Sequence, residues 1–440
     1  AGNYAWYNKN KNSWLAVYCH EKDFKLYWSR VDIAVYIRGI LGEGMLHMGI
    51  LPDYIGVSAF GLKMGVVVPG SDVVAMVSEV LSKCAQDGLL DDGDTVCVTE
   101  SVVARAQNNY VTTDEIAQEV RNKLQVGPGA RIGVLFPILS RNRFSLILKG
   151  LASAVPQGTV VIQLSYPTDE VGNQLLPLDY HETLGKCEGE LILLEELGEK
   201  RFLHPITQVD YIGLYQQIVH QQGAACQLFL CNDPTHLAAY GLDGVVVANV
   251  HNRFRTRDKL AAKGVKCITL QDICNCGPGN WSEWGVLGSN LSSGDKLKLA
   301  PRDCDLIADQ IQKRVREELN KHIEVIIYGD GAYCDPSTGI YELADPQPTF
   351  GMTAGLRGKY REGLKYKYLV DKMWDEGYDI ETIARHIQAR KDEQLDRCSI
   401  ETEGTTPRKS EDLLSSLADL VSGSADAGTP CILVKGFLQK

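Results

Sequence analysis

Acidic residues gather in a glycine-rich segment just after an apolar run at 323–328. Asp330 is flanked by glycines on both sides, and Asp335 follows five residues later. A carboxylate at the end of a strand, beside glycines that let another atom approach, suits Mg²⁺ or Mn²⁺. Such cations take several oxygen ligands and often share them with substrate phosphates. The segment predicts a metal site with Asp330 and Asp335 as ligands, and the alternative is that both only cap turns.

Two arginines lie one residue apart in the polar segment 137-PILSRNRFS-145. In an extended chain, Arg141 and Arg143 point to the same side, and guanidinium groups fit carboxylate or phosphate oxygens. The spacing predicts an anion-binding pair, and a solvated loop is the alternative. The same interpretation applies to 249-NVHNRFRTR-257, where Asn249, at the exit of a predicted strand, is a candidate cofactor-binding residue.

A third polar segment is 284-WGVLGSNLSSGDKLKLAPRDCD-305. Ser289 and Asn290 lie between glycines, where a purely structural role is hard to assign, whereas Asp303 and Asp305 are expected to cap a helix. The segment is not a phosphate-binding P-loop, because Asp295 occupies the place of the essential lysine. The dinucleotide glycine fingerprint is also missing.

The elements that position these residues alternate between short β-branched runs and helical patterns. Strands are predicted at 95–99, 132–136, 159–164, 191–194, 227–230, 244–249, 265–270, 323–328 and 431–437. Helices are clearest at 72–84, 303–321 and 380–393, where apolar residues recur on one face. We predict an α/β (α+β) fold with a mixed β-sheet and flanking helices, because long loops interrupt the regular alternation of a doubly wound sheet.

Composition and charge limit the partners. The 440 residues carry a net charge of −11, with 44% hydrophobic residues, so a sizeable core is expected but no extended nucleic-acid or anionic-membrane surface. No apolar stretch approaches the ~18 residues of a membrane span. Thirteen scattered cysteines and the lack of a secretory signal pattern favour a cytoplasmic protein.

Composition also suggests domain limits. Residues 1–44 hold nine of the 34 aromatic residues, so they are either an extension that precedes the natural start, at Met45 or Met48, or an aromatic flap. The remaining segments are 45–150 and 151–400, which form the two parts of a main domain, and 401–440, a linker with a short helix and a terminal strand.

Four pieces of the chain match a known family in order and separation: 68-VPGSD-72, 94-DTVCVTESVVARAQNNYV-111, 284-WGVLGSNLSSGDKLKLAPRDCD-305 and 325-VIIYGDGA-332. On these pieces the chain resembles the coenzyme F420-0:L-glutamate ligase (gamma-glutamyl ligase) family, as a divergent homologue. The resemblance touches about half of the chain.

The resemblance implies an ATP- or GTP-dependent amide ligase that uses Mg²⁺ or Mn²⁺ and forms an intertwined homodimer. Such an enzyme phosphorylates a carboxylated acceptor, and the amine of an amino acid then displaces the phosphate. Carried over by position, Asp330 corresponds to a metal-binding Asp of the family, and Ser289 and Asn290 correspond to its nucleotide-metal loop. Arg105 corresponds to a basic residue of the family. We assign Arg105, together with Arg141 and Arg143, as candidate catalytic residues.

The chain departs from the family at two places. Leu287 stands where the family has a metal-binding Asp two residues before the Ser-Asn pair, so another carboxylate must replace that ligand or the metal site is reduced. Gln107 and Asn108 stand in place of an acidic residue and a glycine. Two rival hypotheses follow: a non-catalytic nucleotide- or anion-binding protein on the same fold, and a DNA-binding regulator that uses the helical hairpin at 371–393.

Overall fold

The structure is a computed structural model. It describes residues 4–8, 13–17, 51–52, 54–198, 202–204, 207–329, 333–334, 341–342, 347–361, 363–391, 399–402, 408–422 and 428–438. The chain divides into two compact units, Ala1–Gly56 and Val57–Lys440. The first contains an antiparallel pair of strands, and every site residue discussed below belongs to the second.

The strands are β1 (Tyr4–Asn8), β2 (Ser13–Val17), β3 (Ser58–Leu62), β4 (Thr95–Thr99), β5 (Tyr110–Thr112), β6 (Arg131–Leu135), β7 (Thr159–Leu164), β8 (Ile192–Leu193), β9 (Ala225–Leu230), β10 (Gly244–Val247), β11 (Cys267–Thr269), β12 (Asn290–Leu291), β13 (Lys296–Lys298), β14 (Glu324–Tyr328), β15 (Tyr333–Cys334), β16 (Tyr341–Glu342), β17 (Thr349–Met352), β18 (Tyr360–Arg361), β19 (Arg408–Lys409) and β20 (Cys431–Lys435).

The α-helices are α1 (Val73–Gln86), α2 (Glu100–Ala106), α3 (Thr113–Leu124), α4 (Ser145–Ala154), α5 (Tyr180–Thr183), α6 (Tyr211–Gln221), α7 (Arg253–Ala261), α8 (Cys304–Leu319), α9 (Tyr366–Asp375), α10 (Ile380–Lys391) and α11 (Ser410–Ser422). Short 3₁₀ helices lie at Leu194–Leu197, Pro234–Tyr240, Leu270–Asp272 and Ala354–Leu356.

A five-stranded mixed sheet has the order β17-β14-β4-β20-β3. Its neighbours β4 and β14 are parallel, and its other pairs are antiparallel. The central strands are β-branched and buried on both faces, as a sheet between two layers of helix requires. One face packs against α1 and α8, and the other packs against α11. The predicted mixed sheet with flanking helices is confirmed.

A second sheet, in the order β11-β10-β6-β7-β9-β8, is parallel except for its edge strand β8. The chain runs outward from β6 through β7 to β9, then returns to the other side of β6 with β10 and β11. This part is therefore doubly wound, more regular than the sequence pattern indicated. The alternation is hidden in the sequence because a long insertion, 165–210, separates β7 from α6.

A small antiparallel sheet has the order β12-β13-β5. In the sequence, β5 comes just before the parallel sheet, and β12 and β13 come just after it. Its strand β5 leads directly into α3, whose first turn is closed by a reciprocal capping box between Thr112 and Glu115. The close approach of α3 and α4 depends on Gly150, since a Cβ there would lie 2.6 Å from the Ile116 side chain. Helix α4 follows the loop that carries the predicted arginine pair.

Most of the predicted elements are present with small shifts of their ends. The helices predicted at 72–84, 303–321 and 380–393 are α1, α8 and α10, and α9 with α10 forms the helical hairpin. The strand predicted at 191–194 is only two residues long and continues as a 3₁₀ turn. Within the described residues, the cysteines found are all free thiols, and none of the helices has the length and hydropathy to cross a bilayer.

Candidate functional site

A cleft of about 750 Å³ opens at the carboxyl ends of the parallel neighbours β4 and β14. These ends are aligned, because Thr99 of β4 lies opposite Tyr328 of β14 in the register. The cleft is lined by Thr99, Glu100, Ser101, Arg105, Tyr110, Asn142, Arg143, Asn290, Leu291, Ser292, Ser293, Lys298, Tyr328, Gly329, Asp419 and Ser422. It brings together the predicted Arg105, Arg143 and Asn290, which are far apart in the sequence.

Helix α2 supplies one wall. It begins directly after β4, where the Thr99 hydroxyl accepts a hydrogen bond from the backbone N–H of Ser101 at 3.5 Å. Glu100 occupies the first turn, where the helix dipole favours an acid. Arg105 lies in the last turn and is exposed. The strand-to-helix junction thus places a carboxylate deep in the wall and a guanidinium group at its rim.

A buried ion pair crosses the wall between α2 and β13. The Lys298 Nζ donates to both carboxylate oxygens of Glu100 at 2.7 Å, and the two side chains are only 10% and 8% exposed. Lys298 ends β13, which is held to β5 by the Leu297–Val111 pairing. Sequence reasoning missed this pair, because nothing in the short run 296-KLK-298 distinguishes an inward lysine from a solvated one.

The loop after β6 contributes Asn142 and Arg143 to the lining of the cleft. The backbone N–H of Arg143 donates to the Ser140 hydroxyl at 3.0 Å. The buried Tyr215 hydroxyl donates to the Ile138 carbonyl at 2.6 Å and accepts from the Ser140 N–H at 3.2 Å. These hydrogen bonds restrain the loop backbone and therefore the position from which the Arg143 side chain extends.

Asp169 fixes the same loop from the side. Its carboxylate accepts from the backbone N–H of Leu139 at 2.7 Å and from the Val171 N–H at 3.1 Å. It also accepts from the Asn173 backbone and side-chain amides, at 2.8 and 2.9 Å. Burial is the largest influence and raises the pKa of Asp169 to about 6, while these hydrogen bonds act to lower it.

The hairpin β12–β13 closes the cleft against this loop. The Leu291 N–H donates to the Asn142 carbonyl at 2.7 Å, and the Asn142 side-chain amide donates to the Asn290 Oδ1 at 3.3 Å. Ser289, predicted beside Asn290, is fully buried, and its hydroxyl donates to the Val286 carbonyl at 2.8 Å. Of the predicted Ser-Asn pair, Asn290 alone is among the lining residues.

The electrostatics of the cleft favour an anion. Its lining includes three cations, Arg105, Arg143 and Lys298, and two carboxylates, Glu100 and Asp419. Among the lining residues that the structure describes, cations therefore exceed carboxylates by one, in a chain whose net charge is −11. A local excess of positive charge in an acidic protein attracts phosphate or carboxylate groups to that place.

The predicted metal ligands Asp330 and Asp335 lie outside the described residues. Gly329, the residue just before Asp330, lines the cleft. Among the residues that the structure describes, no group of three or more His, Cys, Asp or Glu side chains could hold a metal ion. In the cleft, Glu100 is engaged by Lys298, which leaves Asp419 as the one further lining carboxylate of this part of the chain. The described residues alone therefore do not make a metal centre.

Arg141 lines a neighbouring hollow of about 540 Å³ with Ser140, Asn142, Tyr211 and Leu291. The hollow and the cleft share Asn142 and Leu291, so the two arginines serve adjacent spaces. Burial raises the pKa of the Tyr211 hydroxyl, and the nearby Arg141 guanidinium acts in the opposite direction.

Asn249 lies away from the cleft, after β10 of the parallel sheet. Its side chain is 3% exposed and donates to the Thr256 hydroxyl at 3.3 Å and to the Glu170 carboxylate at 3.4 Å. The same carboxylate accepts from the backbone N–H groups of Val250 and His251 before α7. Asn249 thus joins a buried polar network, and it is not among the residues that line the cleft.

The departures from the family pattern have structural roles. Leu287 is 5% exposed and packs in the largest hydrophobic core. The Gln107 side chain binds the backbone of Arg302, donating to its carbonyl at 2.7 Å and accepting from its N–H at 2.8 Å.

Asp303 and Asp305 were expected to cap a helix. Asp303 stands at the N-cap of α8 without a side-chain capping bond, and Asp305 pairs with Arg357 at 2.6 Å.

The remaining wall of the cleft was missed at the sequence level. Tyr328 ends β14, and Asp419 and Ser422 come from the last turn of α11. The Tyr328 side chain is 2% exposed, and its hydroxyl makes no hydrogen bond of ordinary geometry with the described residues. The sequence feature that could have identified Tyr328 is its place as the last residue of an otherwise apolar strand, shortly before the predicted metal ligand Asp330.

The F420-0:gamma-glutamyl ligase family model matches residues 61–436, a range that includes every described residue of the cleft lining. The chain belongs to this family. The match covers most of the chain and includes the parallel sheet, which sequence motifs had not connected to the family.

Among curated proteins, nothing matches. Among solved structures, a chain of the tetrameric eIF2B-beta2-delta2 complex from C. thermophilum is similar over 55% of this chain and 67% of that chain. The identity is 15% and the TM-score is 0.22, so this likeness carries no argument about the family member described here.

Proposed function

We propose that this protein is a gamma-glutamyl-type amide ligase that depends on a nucleoside triphosphate and a divalent metal. Membership of the family points to gamma-glutamyl ligase activity. The observation that carries the finer proposal is the cleft at the ends of β4 and β14, whose described lining brings Arg105 and Arg143 together with Asn290. Guanidinium groups in a restrained wall are suited to phosphate and carboxylate oxygens.

The proposed reaction has two steps. The γ-phosphoryl group of ATP or GTP passes to a carboxylate oxygen of the acceptor, the bond to the β-phosphate oxygen breaks, and an acyl phosphate forms. The amine of the amino acid then attacks the acyl carbon, the C–O bond to phosphate breaks, and phosphate leaves and takes up the amine proton. Arg105 and Arg143 would hold the phosphoryl oxygens, and Arg141 would hold a carboxylate in the adjacent hollow.

We propose Mg²⁺ or Mn²⁺ as the metal, with Asp330 as principal ligand and Asp335 as a second. When bound, such an ion would offset the charge of the phosphate groups. Its proposed place rests on the acidic segment of the sequence and on the position of Gly329 in the cleft wall. Asp330→Asn is expected to abolish metal-dependent phosphate release with the fold retained, and unchanged turnover in that variant would remove the assignment.

The decisive experiment is a product search with isotopically labelled L-glutamate. The protein is incubated with a small-molecule cell extract as acceptor pool, ATP or GTP and Mn²⁺, and mass spectrometry seeks a product that gained glutamate with loss of water. Product is expected only with triphosphate present, and Arg143→Met should reduce it ~100-fold or more, as for removal of one charge-stabilising group. Lys313→Met, on the exposed face of α8, is the control and should change nothing. Product without triphosphate would contradict the proposal.

A second candidate is a non-catalytic nucleotide- or anion-binding protein, and Leu287 favours it. This buried leucine, at the family's metal-Asp position, has no oxygen to offer a cation. Thermal-shift measurements with GTP or ATP, each with and without Mn²⁺, separate the candidates. Stabilisation by nucleotide that Mn²⁺ does not increase supports the binding protein, and a marked increase supports the ligase.

We also propose that the protein is a homodimer. Light scattering should then give a particle of twice 48.5 kDa, and a mass of 48.5 kDa at micromolar concentration would contradict this.

A further inference from the structure

One end of the cleft differs in chemistry from the arginine-bearing walls. Tyr328, Asp419 and Ser422 form this end, which we call the tyrosine end. It carries a phenol, a hydroxyl and a carboxylate, and it has no cation among these three groups. Arg105, Arg143 and Lys298 lie on the other elements that line the cleft.

The Tyr328 hydroxyl is the feature that requires an explanation. It is buried, it belongs to a side chain only 2% exposed, and no described residue gives it a hydrogen bond of ordinary geometry. Buried tyrosine hydroxyls usually find a partner, because an unpaired buried polar atom is costly. Since Tyr328 lines a cleft, a ligand can supply that partner.

The helix that borders the tyrosine end favours a positive charge. Asp419 and Ser422 occupy the last turn of the thirteen-residue α11, where the backbone carbonyls carry partial negative charge. This turn contains no basic residue that would neutralise it. The Ser422 hydroxyl donates to the Asp419 carbonyl at 3.0 Å, so its oxygen remains able to accept.

The groups of the tyrosine end lie close enough to influence each other. Burial is the main cause that raises the pKa of the Tyr328 hydroxyl, the neighbouring Ser422 hydroxyl lowers it, and the Asp419 carboxylate adds to the rise. A tyrosine hydroxyl can both donate and accept a hydrogen bond.

We propose that the tyrosine end binds the ammonium group of the amino-acid substrate, with Tyr328, Ser422 and Asp419 as its acceptors. The proposal rests on the proposed ligase function and deepens it. An ammonium group has three donors and no acceptor, which matches two neutral oxygens and a carboxylate at the negative end of a helix.

The test compares L-glutamate with glutarate, which keeps both carboxylates and lacks the amine. Each is titrated calorimetrically into the full-length protein, and GTP is titrated separately. The wild type is expected to prefer glutamate. Tyr328→Phe should weaken glutamate ~10-fold, the value of one hydrogen bond to a charged group, and leave glutarate and GTP unchanged. Tyr360→Phe is the control, because Tyr360 is 50% exposed and does not line the cleft.

The phenylalanine variant is suited to this test because the Tyr328 hydroxyl makes no hydrogen bond of ordinary geometry with the described residues, so the variant's stability should be close to that of the wild type. A wild type that binds glutamate no better than glutarate overturns the proposal. Equal weakening of glutamate and glutarate in the variant, or weakening of GTP, also overturns it. These titrations need no turnover. A failure of the labelled-product search would therefore reject the ligase function separately, whereas lost glutamate selectivity in the variant with intact GTP binding supports the subsite.

Discussion

The buried pair of Glu100 and Lys298 gives the sharpest test of the cleft wall. Lys298→Met keeps most of the aliphatic side chain but removes the ammonium group that bonds both Glu100 oxygens at 2.7 Å. The carboxylate, only 8% exposed, would then lack this cation. Breaking a buried pair costs ~3–5 kcal/mol, and we expect ~3 kcal/mol, because the cleft lets water reach Glu100.

A double-mutant cycle isolates the interaction. Glu100→Gln combined with Lys298→Met removes both charges, so the double variant should be less destabilised than the sum of the single changes by ~2 kcal/mol or more. The assay is urea unfolding at neutral pH, with the slopes compared to confirm that each variant unfolds in the same way.

The matched control is the exposed pair of Lys313 and Glu317 on α8, whose atoms lie 3.9 Å apart and whose side chains are 74% and 64% exposed. The same cycle there should give a coupling of ~0.5 kcal/mol or less. The reasoning is refuted if Lys298→Met costs less than ~1 kcal/mol, or if the two cycles give equal couplings.

Three further outcomes are expected. Because burial raises the pKa of Asp169 from 3.8 to about 6, the folded protein holds more protons than the unfolded chain between those values, and its stability falls as the pH rises through them. In urea unfolding, the free energy of unfolding of the wild type minus that of Asp169→Asn should therefore decrease by up to ~3 kcal/mol between about pH 4 and about pH 7. An increase of this difference over the same pH range would contradict the prediction. Gly150→Ala should lower stability by ~1–3 kcal/mol, because the new Cβ lies 2.6 Å from Ile116. A Cβ at Gly129 would meet no atom within 4 Å, so Gly129→Ala should leave the free energy of unfolding unchanged. Equal destabilisation by the two substitutions would contradict the packing argument. Asn249→Ala should leave the calorimetric affinity for GTP unchanged, since Asn249 is not a lining residue of the cleft, and a tenfold loss would place nucleotide there instead.

Much of the fold follows from local pattern. The β-branched runs that became β4, β14 and β20 have no competing helical period, and Asp72 caps α1 by accepting from the Ala75 N–H at 2.9 Å. The regularity of the parallel sheet could not be predicted, because it depends on the pairing of β6 with β10 across more than a hundred residues.

Site residues could be predicted where a polar side chain lies between apolar elements and has no evident structural role. Arg143 and Asn290 were identified because polar groups between apolar elements need a reason, and the structure brings both to one cleft. Lys298 and Tyr328 were not, since their importance comes from burial, which a strand of three to five residues does not reveal. Ser289 and Asn249 share the residue types of a binding site, but the Ser289 hydroxyl and the Asn249 side-chain NH₂ donate hydrogen bonds within the fold.

The central claim is that the cleft at the ends of β4 and β14 holds the phosphate groups of the substrate. A crystal structure of the protein with a non-hydrolysable GTP analogue and Mn²⁺ tests it most directly. We expect the phosphate groups within hydrogen-bonding distance of Arg105 and Arg143. Phosphate groups bound instead beside Asn249, at the carboxyl ends of the parallel sheet, would contradict the account.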